Sequence, residues 1–210
     1  MPAYFSMTMQ FEKKRVHPGF VKEVYSQIIS CGFGFKSGYW FHEEATLDEI
    51  IDWNQRLLEK GFTLGFTQHV KHDYMQILFT TEHYSEMRGF WIHSSDEVVF
   101  HIIVPESSIL NCEGGLYFIE SKVAPVINLA IKLWESGIVD AIQTSLELDE
   151  GCFCLSDALT GKNVSVSPFA VLPEKAFEQF SDGYFSKMNL CKILKNGLFI
   201  EDNGTISHDL

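Results

Sequence analysis

Four consecutive apolar segments between residues 62 and 104 constrain the fold of this chain more than any other feature. The segments, at 62–70, 74–81, 88–94 and 98–104, are rich in β-branched and aromatic residues. Short polar turns separate them, as expected for antiparallel strands that follow one another along the chain. The sequence therefore predicts a four-stranded β-meander in the middle of the protein.

Helical patterns flank this meander on both sides. The motif Thr46-Leu47-Asp48-Glu49 is a capping box and opens the best-defined helix. Apolar stripes predict two more helices, over about 18–30 and about 123–136, and Pro125 fits the second only within its first turn. Each of the three helices is followed by a glycine that can end it: Gly32, Gly61 and Gly137. The predicted fold class is α+β, a central antiparallel β-meander with helices packed on one face.

The C-terminal third has a weaker pattern. The elements predicted there are a helix or strand at 141–148, a hairpin around 160–162, and short helices at 173–180 and 185–194. A length of 210 residues suits one domain with one substantial core. We therefore predict a single domain over residues 1–210. Any subdivision would fall near 137–150, between an N-terminal α+β part and a smaller C-terminal part.

The negative charge of the chain is concentrated in its middle. Asp and Glu number 28 against 16 Lys and Arg, and residues 41–150 hold nineteen of the acids with only six of the bases. The net charge of −12 argues against nucleic-acid binding, because affinity for a phosphate backbone needs a basic surface. An acidic region attracts basic proteins through its field. The alternative is a solvated acidic face that only keeps an aromatic-rich protein in solution.

Two features bear on the cellular compartment. The N-terminal residues lack the pattern of a signal peptide, and the longest apolar stretch, at 123–134, is shorter than the ~20 residues of a membrane span. The five cysteines are odd in number and have no framework spacing, which is typical of reduced thiols. The sequence predicts a cytoplasmic protein with no membrane partner.

Three short motifs contain some of the residue types of a chemical site. Residues 32–38 have the glycines and the lysine of a phosphate loop, but they lack its spacing and follow a helix. Cys152-Phe153-Cys154 has no second cysteine pair to complete a zinc site. Cys112 has no diagnostic context for a nucleophile. The sequence therefore predicts no catalytic residue, no cofactor and no metal.

Histidines in or beside the meander support an alternative. The alternative is an enzyme, or a domain that binds a metal or a small molecule, with a pocket over the meander. The side chains that could line this pocket are histidines and nearby acids: His69, Asp73, Glu82, His93 and His101. The alternation of side chains along a strand weakens this hypothesis. Two residues separated by an odd number of positions in one strand point to opposite faces of the sheet. Surface or half-buried histidines without a function are the competing interpretation.

Aromatic residues next to acids give the leading hypothesis. Tyr39 and Trp40 stand just before the capping box, and Asp48 and Asp52 lie on the polar face of the helix that follows. Tyr and Trp are enriched at the centres of protein interfaces. From the acidic middle region we predict a non-enzymatic cytosolic interaction protein that binds a basic protein partner, with these four residues as the candidate contacts. Its most specific form, by analogy of composition, is an immunity protein that neutralises a cognate bacterial toxin. A structural or oligomerising domain is a third possibility, and the sequence leaves the oligomeric state open.

Overall fold

A computed structural model describes residues 3–64, 72–111, 117–149, 151–193, 195 and 197–207. Within these residues, nine strands form one antiparallel sheet, and three short strands form a second, smaller sheet. The strands of the large sheet are β1 (Tyr4–Glu12), β2 (Gly34–Gly38), β3 (Ile77–Thr80), β4 (Arg88–His93), β5 (Glu97–Pro105), β8 (Ala141–Leu146), β9 (Phe169–Pro173), β10 (Met188–Ile193) and β11 (Gly197–Asp202). The small sheet contains β6 (Leu110–Asn111), β7 (Tyr117–Ile119) and β12 (Ile206–Ser207).

The large sheet has the strand order β10-β11-β9-β8-β1-β5-β4-β3-β2. Its central strand, β1, pairs with β5 along its whole length and with β8 on its other edge. At β8 the sheet continues without a break, because β8 pairs with β1 on one side and with β9 on the other. The predicted α+β class with an antiparallel meander is therefore confirmed.

Three longer helices cover one face of the sheet, as the sequence predicts. They are α1 (Phe20–Ser30), α2 (Leu47–Glu59) and α3 (Glu120–Ser136). The alternating residues of β1 that point to these helices are completely buried: Phe5, Met7, Met9 and Phe11. Two short helices, α4 (Leu155–Leu159) and α5 (Glu174–Phe177), build a second apolar cluster on the opposite face of the C-terminal strands.

The ends of the long helices follow local chemistry. The capping box is formed, since the Thr46 hydroxyl accepts from the Glu49 N–H while the Glu49 carboxylate accepts from the Thr46 N–H. Gly32, Gly61 and Gly137 have left-handed φ values of 97°, 62° and 76° just after the three helices. Pro125 departs from expectation, because α3 begins at Glu120 and the proline lies beyond the first turn.

Several predicted elements of the sheet need correction. The described part of 62–70, residues 62–64, contains no strand, and residues 65–70 lie outside the described chain. The edge position next to β3 is occupied instead by β2, whose residues lie in the segment compared above with a phosphate loop. The hairpin around 160–162 is wrong, because α4 precedes that turn. The helix at 185–194 is also wrong, since β10 pairs there with β11.

Other C-terminal predictions agree with the structure. Residues 141–146 form strand β8 rather than a helix, and the predicted helix at 173–180 corresponds to α5. In the part of the chain that is described, none of the helices has the length and apolar character that crossing a bilayer requires.

Candidate functional site

Two large aromatic side chains stand in solvent between β2 and α2. The exposed fraction is 56% for Trp40 and 70% for Phe41. Their rings stack on each other with centroids 5.5 Å apart and an angle of 12° between the planes. Side chains of this size normally dominate cores and interfaces. We call them the Trp40–Phe41 pair, and we take them as the centre of the candidate site.

The backbone at Trp40 has an unusual conformation. Its φ of 63° lies in the left-handed region, which costs a residue with a side chain about 1–2 kcal/mol. The preceding turn is tight, since a Cβ placed on Gly38 would come within 2.1 Å of the His42 carbonyl oxygen. Strained residues of this kind cluster at binding and catalytic sites. The surrounding fold thus holds Trp40 in an exposed position against a local preference.

A small cavity lies beside the Trp40–Phe41 pair. Its volume is about 90 Å³, and the residues that line it are Trp40, Phe41, His42, Asp73, Tyr74 and Gln76. Two oxygen atoms of these residues, Asp73 Oδ1 and Gln76 Oε1, are buried and have no hydrogen-bond partner in the described part of the chain. Burial raises the pKa of Asp73, and the neighbouring His72 partly opposes this. Buried acceptors usually have partners, so two unpaired acceptors in one cavity require a reason.

A larger groove runs between α2 and residues 44, 45 and 75. It encloses about 480 Å³ and is lined by Glu44, Ala45, Glu49, Asp52, Trp53, Arg56 and Met75. Trp53 joins the groove to the cavity, because its indole N–H donates to the Asp73 carbonyl at 2.9 Å. The Arg56 guanidinium lies over the Trp53 ring at 5.6 Å. Groove and cavity therefore share the walls formed by residues 40–45 and 73–76.

A buried asparagine fixes the 73–76 segment to α2. The Asn54 side chain donates to the Met75 carbonyl and accepts from the Met75 N–H, both at 2.8 Å. It also donates to the Tyr25 hydroxyl, which accepts a second bond from the Trp91 indole N–H. Asn54 has no exposed surface. The wall of the groove is thus anchored in the main core before any partner arrives.

Exposed carboxylates surround the groove. Glu49 accepts hydrogen bonds from the backbone N–H and the hydroxyl of Thr46, which lower its pKa. The exposed acids of this region are Glu43, Glu44, Asp48, Glu49 and Asp52. We define the acidic–aromatic surface as these acids, the Trp40–Phe41 pair, the cavity and the groove.

The structure brings together three of the four residues predicted to bind a partner. Trp40 and Asp52 line the acidic–aromatic surface, and Asp48 lies one helical turn before Asp52. Tyr39 differs, because its half-buried ring packs against Arg88, whose guanidinium carbon is 4.4 Å from the ring centroid. Asp73, predicted for the alternative pocket, belongs instead to the cavity beside Trp40.

The described residues do not assemble the alternative histidine pocket. His101 is paired with Phe90 and stacks on its ring at 5.0 Å, whereas His93, three residues after Phe90, points to the other face of the sheet. Burial lowers the pKa of His93. Glu82 is exposed in the turn before β4, and His69, like Cys112, lies outside the described residues. Among the described residues, no three His, Cys, Asp or Glu side chains are close enough to hold a metal ion.

His101 belongs to a hydroxyl cluster on the face of the sheet opposite α1–α3. Its Nδ1 is 3.2 Å from the Ser6 hydroxyl and 3.1 Å from the Thr8 hydroxyl. Burial lowers the pKa of His101 to about 4, so the ring is neutral at neutral pH. The nearby Cys152 thiol donates to the Ser145 hydroxyl, and burial raises its pKa. A raised pKa disfavours the thiolate, which is the nucleophilic form of cysteine.

A second buried polar group lies on the same face, under residues 153–155. Gln143 donates to the Gln10 side chain at 2.6 Å and to the Phe153 carbonyl at 2.8 Å. Gln10 donates to Glu97 at 2.8 Å, and Glu97 also accepts from the Leu155 N–H at 3.0 Å. We call this the Gln10–Glu97–Gln143 network. Unlike the cavity beside Trp40, each of its three side chains has internal partners.

Sequence reasoning missed Asn54 and Gln76 as parts of the candidate site. A polar residue within the apolar stripe of α2 is a usable signal for Asn54, because a buried amide needs fixed partners. Gln76 gives no such signal, since its position depends on how β3 pairs with β2.

Comparisons of the chain with protein-family models and with curated proteins found no match.

Proposed function

We propose that the acidic–aromatic surface binds a basic protein partner. The observation that carries this proposal is the exposed, stacked Trp40–Phe41 pair beside a groove rimmed by carboxylates. Aromatic residues supply most of the affinity in many interfaces, since they bury a large area at a small cost in side-chain entropy. The acids supply long-range attraction for a positively charged partner.

The geometry also supports a preformed binding site. The wall formed by residues 73–76 is held by the buried Asn54, and the entry to α2 is held by its capping box. A preformed surface loses little conformational entropy on binding, which favours high affinity. High affinity is what an immunity protein needs to neutralise a toxin, so this remains the most specific form of the proposal.

The proposal is tested by affinity capture from a lysate of the source organism at low salt. The bait is either the wild-type chain or a double variant, Trp40→Ala with Phe41→Ala. We expect a protein of high isoelectric point to be retained by the wild type and lost by the variant, because truncating central aromatic residues typically costs about 2 kcal/mol or more each. Both side chains are mostly exposed, so the variant should fold normally.

The association rate of the recovered protein provides a second readout. We expect the rate constant to fall at least about tenfold between about 50 mM and about 500 mM NaCl, since exposed charges are screened over a few ångströms at high salt. The variant Asp48→Asn with Asp52→Asn should reduce this salt dependence. The proposal is overturned if the wild type and the variant Trp40→Ala with Phe41→Ala retain the same basic proteins in equal amounts.

A further inference from the structure

Two residues that line the cavity beside the Trp40–Phe41 pair each carry an acceptor atom with no hydrogen-bond partner among the described residues. Asp73 Oδ1 and Gln76 Oε1 are buried and have no hydrogen-bond partner, although each belongs to a residue that lines the cavity. Leaving buried acceptors unpaired costs stability. When the half-buried Asp73 and Gln76 side chains turn toward the cavity, a bound donor satisfies both oxygens and recovers this cost, so the cavity is suited to a hydrogen-bond donor.

Charge and shape narrow the chemistry of that donor. The Asp73 carboxylate favours a cation, and the aromatic rings of Trp40, Phe41 and Tyr74 favour a flat cation that can stack on them. A guanidinium group is planar, permanently charged and carries five N–H donors, whereas an ammonium group is compact and strongly hydrated. The volume of about 90 Å³ corresponds to roughly three water molecules, which is room for the end of one side chain.

We propose that this cavity is a socket for one arginine side chain of the basic partner. The proposal rests on the proposed function, because it names the group by which the partner engages the acidic–aromatic surface. The guanidinium stacks against the aromatic wall and donates to Asp73 and Gln76. His42 also lines the cavity.

The protein already contains a similar arrangement next to this position. The Arg88 guanidinium carbon lies 4.4 Å from the centroid of the Tyr39 ring and 5.0 Å from that of the Tyr4 ring. Tyr39 immediately precedes Trp40. An arginine side chain between aromatic rings is therefore compatible with the packing of this part of the sheet.

The socket is tested with a small probe, arginine blocked at both ends as the N-acetyl amide. The chain has four tryptophans, and each contributes one indole N–H signal to an NMR spectrum. We expect the Trp40 signal to shift with a dissociation constant on the order of 1–10 mM, as befits a single side chain. The signals of Trp91 and Trp134, which are buried in the main core, should stay in place.

Blocked citrulline is the matched control probe, because it replaces the guanidinium by an uncharged urea of nearly the same shape. We expect its affinity to be at least about tenfold weaker, since charge-assisted hydrogen bonds are about twice as strong as neutral ones. Blocked lysine should also bind several-fold more weakly. Equal binding of arginine and either of these two probes would overturn the assignment to arginine.

Matched variants test whether blocked arginine binds in the cavity. Asp73→Asn and Gln76→Met should each weaken binding of blocked arginine by about five- to tenfold, because each removes an acceptor from the cavity. Asp48→Asn removes the same charge as Asp73→Asn but from an exposed position outside the cavity, and should change the affinity by less than about twofold. Equal effects of Asp48→Asn and Asp73→Asn would overturn the socket in favour of general attraction. The indole spectrum of each variant also reports whether it is folded.

Failure of the socket and failure of the proposed function give different results. If a basic protein is captured through the Trp40–Phe41 pair but blocked arginine does not shift the Trp40 signal, the socket is wrong and the proposed function stands. If blocked arginine binds as expected but no basic protein is retained, the proposed function is overturned and the cavity is an arginine site of another kind.

Discussion

The cavity beside Trp40 and the Gln10–Glu97–Gln143 network are two polar regions with opposite hydrogen-bond states. In the network, Gln143 alone takes part in four hydrogen bonds, with Gln10, with both backbone groups of Phe153 and with the Ser165 N–H. In the cavity, Asp73 and Gln76 each keep a buried oxygen unpaired. Acidic and glutamine side chains are thus hydrogen-bonded within the protein in the network, whereas in the cavity each keeps one oxygen unpaired.

This difference separates a structural role from a binding role. A satisfied buried network makes the packing specific, and removing one member leaves several groups unpaired. An unsatisfied buried group lowers stability, and a bound ligand that pairs with it gives it a binding role. Glutamine provides a direct comparison, because Gln143 and Gln76 can each be replaced by methionine, which has a similar volume and no strong hydrogen-bonding atom.

The largest effect is expected from Gln143→Met. This change leaves Gln10 Oε1, the Phe153 N–H and the Ser165 N–H without the partner that Gln143 provides, so the free energy of unfolding should fall by about 3 kcal/mol. Urea unfolding followed by circular dichroism measures it, with an unchanged m-value as evidence that the unfolding reaction is the same. A loss below about 0.5 kcal/mol would mean that the network is not structural.

An intermediate effect is expected from the pH dependence at His101. Burial lowers the pKa of His101 from 6.5 to about 4. Between pH 6.5 and pH 4, the histidine is therefore protonated in the unfolded chain but neutral in the folded protein. Stability contributed by the neutral ring is therefore complete above pH 6.5 and is lost as the pH falls toward 4. The loss should be on the order of 2 kcal/mol.

His101→Gln removes this titration and tests it. Across the same pH range, the variant should lose about 2 kcal/mol less of its unfolding free energy than the wild type. His83→Gln replaces an exposed histidine and serves as the control, with a pH dependence close to that of the wild type. Parallel stability curves for the wild type and His101→Gln would show that the hydroxyl cluster does not exclude the proton.

The smallest effect, and the one of opposite sign, is expected from Gln76→Met. Replacing an unpartnered buried acceptor by an apolar group should raise the free energy of unfolding by about 0.5–1 kcal/mol. The same urea titration measures the change. A clear destabilisation would show that the Gln76 oxygen is satisfied in the folded protein and would remove the contrast with Gln143.

Much of the local structure could be predicted because it depends on neighbouring residues. The capping box at Thr46, the glycines after the three long helices, and strands β4 and β5 all follow from short-range patterns. Strand β1 was also open to prediction, since Phe5, Met7, Met9 and Phe11 alternate with polar residues. It was missed because methionine carries little β-propensity compared with branched residues.

Other elements depend on distant partners and could not be predicted in this way. Residues 188–193 form a strand because β11 pairs with them, although their local pattern suits a helix. Residues 34–38 form a strand for the same reason, since β3 provides an edge next to them.

By itself, the sequence determined the α+β class, the α2 helix and the presence of aromatic residues next to acids around Trp40 and Asp52. Only the tertiary structure decided that Asp73 and Gln76 lie against Trp40. The pairing of Gly38 with Ile77 and the hydrogen bond from the Tyr39 N–H to the Gln76 carbonyl bring these distant segments together. Local patterns encode helices, turns and faces, whereas a site formed by two distant segments depends on the register of the strands that join them.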